Sequence, residues 1–415
     1  MIVDQMIDTL NSATPTVFAL MDYWNFDGWF ALKNRLAQEN APPLTKTVFP
    51  GIELRLCAPM RGRLNAHVIF SDKIRDQQLR DFLSQLRLEL TDQPLSEDSL
   101  IQYARQIGSD ILSKHGVKKN DVDSNDAVAL RVGYKVAELN CNSYKEAINK
   151  VSDGLAVGFM PFNTNDGLSQ IDQMKHYAYA LSLFRSSPIF EERDDATWNA
   201  FVGRKTEANK GWFDAFQEAL GGQPRLPVSG SDAHRFIGTQ GDNNQRGYGD
   251  FPSRRVTWIK ADPTWRGLLQ AIKEPEKRCH IGQHPPKAQR VAANKTFYID
   301  RIMLTKVPGS PLAEKWFDGC SIPLNQDLVA IIGNKGSGKS ALADAVALLG
   351  NSQQSRYFSF LKPDRFRGKS GEPARQFTGR IDWLAGAPCE ANLADDPTPD
   401  KKAYPVDSGS PTYSM

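Results

Sequence analysis

One run of residues constrains this chain more than any other: Leu328-Val-Ala-Ile-Ile-Gly333-Asn334-Lys335-Gly336-Ser337-Gly338-Lys339-Ser340-Ala341. An apolar stretch enters glycines at the spacing Gly-x4-Gly-Lys-Ser, and Ala341 to Leu349 continues with helix-forming residues. This order predicts a buried strand, a tight loop and a helix. Backbone N–H groups of such a loop turn inward around α- and β-phosphates, the lysine reaches the β/γ-phosphates, and the serine hydroxyl takes a Mg²⁺ coordination place. The helix adds its positive N-terminal end. Residues Gly333, Asn334, Lys335, Gly336, Ser337, Gly338, Lys339, Ser340 and Ala341 are therefore the expected binding site for ATP with Mg²⁺, and Ser340 is an expected metal ligand. The site stands near the end of the 415-residue chain, leaving little sequence for the rest of an ATPase.

Composition sets wide bounds. The chain is 40% hydrophobic and 24% charged, enough for sizeable cores in two or three domains. A formal charge of +3 is small for this length and does not demand a nucleic-acid partner. Five cysteines with no C-x-x-C pair argue against a disulfide framework and for a reducing compartment. The start lacks the pattern of a signal peptide, and no stretch approaches the roughly 18 apolar residues of a membrane span, so a cytoplasmic location without a membrane partner is expected.

The first two thirds alternate strand-like and helix-like segments, which predicts an α/β arrangement. Expected strands are Thr16 to Met21, Val48 to Leu56, Asn65 to Phe70, Leu155 to Met160, Arg225 to Ser229 and Arg254 to Lys260. Expected helices cover Asp27 to Gln38, Asp72 to Leu90, about Ser99 to Ser113, a short one opened by a capping box at Ser143 and Glu146, Ser169 to Phe184, and Pro263 to Lys273. The run from Gly238 to Gly249 reads as a loop. Residues 1–283 form the expected first domain, 284–294 a proline-containing linker and 295–415 the second, with strands at Phe297 to Thr305 and Leu328 to Ile332. From Ile381 onward the apolar periodicity fades, which predicts a loose tail compatible with a truncated or frame-shifted gene.

Three further fragments share a chemistry: Glu53 after Pro50-Gly51, His67 within Asn65-Ala-His-Val-Ile69, and Ser231-Asp232-Ala-His234. Carboxylate and neutral imidazole are the donors that hold Zn²⁺, Mn²⁺ or Fe²⁺ and can activate water against a phosphate ester. In order and context these fragments resemble the polymerase-and-histidinol-phosphatase (PHP) domain, a distorted (β/α) barrel with a metal centre at the C-terminal ends of its strands. With Thr257 to Leu268, Glu274 to Arg278 and the glycine-rich loop, which is similar to that of an ABC/SMC-like head, residues 15–385 resemble the PHP-associated ATPases of the TrlF type. The resemblance implies a PHP-like barrel followed by a partial P-loop NTPase lobe, and metal ligands at Asp22, Glu53, His67, Asp232 and His234. Asp22 sits where the family carries a Thr-Asp-His element.

Departures from the family pattern accompany the match. His-x-His on the first strand is missing, Tyr23 stands where a histidine is common, and Met160 to Leu168 replaces another histidine-bearing segment. After Ser340 neither an apolar strand ending in Asp-Glu nor a signature helix is recognisable, so the chain is expected to bind ATP better than it hydrolyses it. The basic tract Leu361 to Lys369 carries Phe366 between cations, a mix suited to a DNA or RNA backbone with one stacked base, although a solvated charged surface is the simpler reading. Taken whole, the resemblance implies ATP hydrolysis coupled to metal-dependent phosphoester cleavage in DNA or RNA repair or phage defence, with a homodimer through ATPase heads. The alternative is a non-catalytic nucleotide-gated binding module on a degenerate scaffold.

Overall fold

The computed structural model describes residues 2–398 apart from 240–241, 243–244, 252–254, 314 and 369–371. The expectations for the tail past residue 398, for Lys369, for Arg254 and for residues 240–241 and 243–244 of the run from Gly238 to Gly249 fall outside the described residues. The chain divides into two compact units, Met1–Pro285 and Pro286–Met415.

The first unit is built on a six-stranded sheet in the order β1 (Val17–Tyr23), β2 (Thr47–Leu56), β3 (Leu64–Phe70), β4 (Ala156–Pro161), β5 (Ile189–Glu191) and β6 (Leu226–Val228). β3 runs antiparallel to both of its neighbours, and the other pairings are parallel. The strands after β1, β4 and β5 are reached through crossover helices, among them Asp27–Leu36, Gln173–Ser186 and Asp195–Phe201. The result is a mixed α/β fold whose sheet is a partly curled, open half-barrel rather than the expected (β/α) barrel, with no β6-to-β1 pairing among the described residues. β7 (Val256–Ile259) and β8 (Cys279–Gly282) form a separate antiparallel pair.

Alternation along the strands decides which side chains share a face. Ile52, Leu54 and Leu56 of β2 and Leu64, Ala66, Val68 and Phe70 of β3 bury into the larger core. Phe49, Ile69, Val157, Ile189 and Leu226 line the opposite face and bury against Trp198, Val202 and Trp265. Both faces are covered, which is why β3 is buried at every position.

Helix boundaries move for local reasons. Gly108 divides the expected helix near Ser99 into Glu97–Gln106 and Ser109–Lys114, and Ser96 caps the first by accepting from Ser99 N at 3.1 Å. The helix Cys141–Lys150 is capped by Asn140, not Ser143. The helix Trp265–Lys273 is capped by Thr264 in place of the expected proline start.

In the second unit, the segment expected as linker forms a helix, Pro286–Ala293, whose proline stands at the first helical position where no N–H is needed. β9 (Ile299–Lys306), β10 (Cys320–Pro323), β11 (Phe377–Trp383) and β12 (Cys389–Asn392) make an antiparallel sheet in the order β10-β9-β11-β12. Helix Lys339–Leu349 sets Leu348 and Leu349 into a core with Ile302, Leu304, Phe377 and Ile381. Three expectations are corrected here. The sheet is antiparallel and lacks the strand before the loop, so no clear P-loop NTPase lobe is formed among the described residues. Leu328 to Ile332 is unpaired, with Leu328 91% and Ile332 89% exposed. Order persists past Ile381, because β12 pairs with β11.

Candidate functional site

Two places carry the residues singled out from sequence, one in each unit. In the first unit the carboxyl edge of the sheet collects the ends of β1, β2, β4, β5 and β6 together with the start of β3. Open α/β sheets bind ligands outside such edges. On the Phe49/Ile69 face the side chains turn from apolar to ionic as this edge is approached: Phe49, then Glu53 and Arg55 on β2; Ile69, then His67 and Asn65 on β3; Ile189, then Glu191 on β5. Tyr23 lies in register with Glu53, and Glu53 with His67, so these three share one row.

Glu53 accepts from Asn65 Nδ2 at 2.8 Å and lies 3.5 Å from His67 Nε2. Asn65 Nδ2 also donates to Asp166 Oδ2 at 2.8 Å, which ties the loop after β4 into the cluster. After β6, Asp232 lies 3.4 Å from His234 Nε2 and accepts from Arg246 at 2.8 Å. The His234 ring stacks on Tyr23 with centroids 6.4 Å apart. Arg193 pairs with Glu191. Partial burial, followed by the carboxylates of Glu53 and Asp232, pushes the Tyr23 phenol up to about 12, so it remains a hydrogen-bond donor at neutral pH. Burial raises Glu191 against the pull of Arg193 and His67.

Of the five ligands implied by resemblance, Glu53 and His67 form one pair and Asp232 and His234 another. Asp22 does not join them. One residue before Tyr23, it faces the larger core, where Oδ2 accepts from Trp29 N at 3.1 Å at the start of the helix Asp27–Leu36. Gly28 is required beside it, since a Cβ there would stand 2.4 Å from Asp22 Oδ1.

The residues do not fit a metal centre. Among the described residues no group of three His, Cys, Asp or Glu side chains is placed to hold an ion. The carboxylates already have protein donors, and those of Arg246 and Arg193 are cationic, so a divalent ion would have to displace a charge-assisted bond at each.

Sequence reasoning passed over Asn65, Glu191, Arg193 and Arg246. Asn65 had a usable signal, because it lies two residues from His67 on the same strand, whereas Glu191 had none, since the three-residue β5 that carries it shows no pattern in the sequence. Arg246 had none, since only the return of its loop brings it to Asp232.

In the second unit the glycine loop is curled. Gly336 and Gly338 have φ of +86° and +87°, which side-chain-bearing residues rarely adopt. A Cβ at Gly338 would also stand 2.9 Å from Phe317 Cζ. Lys339 Nζ reaches back over the loop and donates to the carbonyls of Gly333 at 2.8 Å and Asn334 at 2.9 Å. Ser340 is exposed in the first turn of the helix. The basic tract is corrected: Phe366 is buried against Phe360 and Trp316, each with a centroid separation of 4.4 Å, and Arg367 pairs with Asp396, leaving no free ring for a base.

No family model and no curated protein matches the chain. Among solved structures it has a distant resemblance to an amidohydrolase from Chromobacterium violaceum, with a TM-score of 0.31 and 15% identity over 56% of this chain and 82% of that one. A second is a proposed metal-dependent phosphoesterase from Bifidobacterium adolescentis, with a TM-score of 0.29 and 13% identity over 60% of this chain and 86% of that one. At these scores neither protein's activity extends to this chain.

Proposed function

We propose that the chain is a nucleotide-binding protein that takes ATP with Mg²⁺ at Gly333 to Ala341, attached to a PHP-like scaffold that does not work as a metal centre. One observation carries the reading: Lys339 Nζ is folded over the curled loop onto two carbonyl oxygens. Those are neutral acceptors. A triphosphate entering the loop offers anionic oxygens to the same ammonium, adding an attraction between opposite charges that a neutral carbonyl does not supply, so the lysine would transfer to the phosphates. Ser340, exposed beside it, would hold Mg²⁺, which neutralises phosphate charge when bound.

The finer identity suggested by the sequence, a PHP-associated ATPase acting on DNA or RNA, belongs to this proposal with its catalytic part reduced. Arginine pairing of Asp232 and Glu191 favours the non-catalytic module over the phosphoesterase.

Titration with labelled ATP tests the first half, with Lys339→Ala expected to abolish binding; unchanged affinity in that variant overturns it. Elemental analysis of protein purified without chelator tests the second, and stoichiometric Mn, Fe or Zn would overturn the metal-free scaffold.

A further inference from the structure

Beside the Glu53 and His67 row, the first unit has a cleft of about 630 Å³ to which the reading above assigns nothing. Its volume lies within the usual range for small-molecule sites. Three cationic side chains line it: Arg55, Arg63 and Lys135. Tyr23, Tyr134 and His115 supply rings, and no carboxylate lines it. The acids that act on these groups, Glu53 and Glu138 on Arg55, Glu97 and Asp27 on Tyr134, and Glu53, Asp232 and Asp166 on Tyr23, stand outside the lining.

The cations are also unspent. Many other basic side chains of the first unit end on an acid, as Lys33 does on Asp76, Arg105 on Asp126 and Arg255 on Asp195. Among the described residues, neither Arg63 nor Lys135 has a side-chain ion pair. Arg55 is held in place by a bond from its guanidinium to the Lys135 carbonyl, yet its Nε is buried with no hydrogen-bond partner among the described residues. Arg55 and Arg63 line the same cleft, so an anion bound there would offset the repulsion between their like charges. Arginine and lysine bind phosphate oxygens, and guanidinium or phenol faces stack on planar rings.

We propose that this cleft binds a phosphate monoester carried on an aromatic base, the chemistry of a nucleoside monophosphate or of a phosphorylated nucleic-acid end. The site is separate from the glycine loop and does not depend on it.

The test uses the full chain carrying Lys339→Ala, so that nucleotide held by the second unit is removed, and titrates it calorimetrically with adenosine 5′-monophosphate, inorganic phosphate and adenosine. The monophosphate is expected to bind with a Kd of about 1 mM or tighter, to weaken as salt is raised, and to bind at least about tenfold more tightly than adenosine. Arg63→Glu and Lys135→Glu, each at an exposed position, are each expected to weaken it by about tenfold or more without shifting the melting temperature. Equal affinity for adenosine, affinity untouched by both charge reversals, or no monophosphate binding overturns the cleft. Each of these results leaves the Lys339 reading standing, because that reading is scored by ATP on the unmodified chain.

Discussion

Glu191 and Glu192 are adjacent and have opposite surroundings. Glu191 turns toward the ionic edge and finds Arg193, whereas Glu192 is 2% exposed and accepts from the backbone N–H groups of Arg193 and Asp194, both at 2.7 Å. Its second oxygen is buried without a partner among the described residues, and burial pushes the Glu192 carboxyl from the ordinary 4.5 up to about 7. The folded chain thus holds this proton more tightly than the unfolded chain. The group's contribution is most favourable below about pH 4.5 and is lost as the pH rises toward 7, a change on the order of 2 to 3 kcal/mol. Glu192→Gln keeps the acceptor oxygen and removes the titration. Urea midpoints measured from pH 4.5 to 8 should therefore flatten in the variant, which should be the more stable protein at pH 8; parallel curves would contradict this assignment. At the glycine loop, Gly338→Ala meets both a left-handed φ and Phe317, and should cost about 1 to 2 kcal/mol while weakening ATP binding, read by thermal melting and titration.

At the scale of elements, Asp22 is a structural acceptor for a helix start, not a ligand. Asp22→Ala should lower stability by about 1 kcal/mol in chemical denaturation and leave ATP binding unchanged. Trp24, which follows β1 with φ +62° and is buried, marks a strained turn that carries the chain from the sheet edge into that helix. The apolar run before the glycine loop shows the limit of reading hydrophobicity as burial. With no pairing partner among the described residues, Leu328 to Ile332 remains open to solvent. Ile332→Ser should consequently move stability by no more than about 0.5 kcal/mol, whereas Leu348→Ala in the helix behind the loop should cost about 2 to 5 kcal/mol. A large loss from Ile332→Ser would show that the run is buried after all.

At the scale of the whole molecule, each unit has its own core, so residues 1–285 expressed alone should unfold cooperatively; a gradual, non-cooperative melt would show that the first unit needs the second. All five cysteines are free, and no helix among the described residues is long and apolar enough to cross a membrane.

Although the three-residue β5 and the helix Asp195–Phe201 were not legible in it, sequence by itself determined local features: five of the six strands of the first unit's main sheet, the glycine loop with its lysine, and the helix that follows. These depend on spacing, periodicity and backbone preference, which act over a few residues. Glu53 and His67 could be suspected because each interrupts a largely apolar strand. Tertiary structure alone decided that Tyr23 rather than Asp22 joins their row, that Arg246 and Arg193 occupy the carboxylates, that Phe366 belongs to a core, and that three cations converge on one cleft. Strand register and loop return set those outcomes, and both are fixed by pairing between segments far apart in the chain. No pattern internal to one segment encodes what stands opposite it.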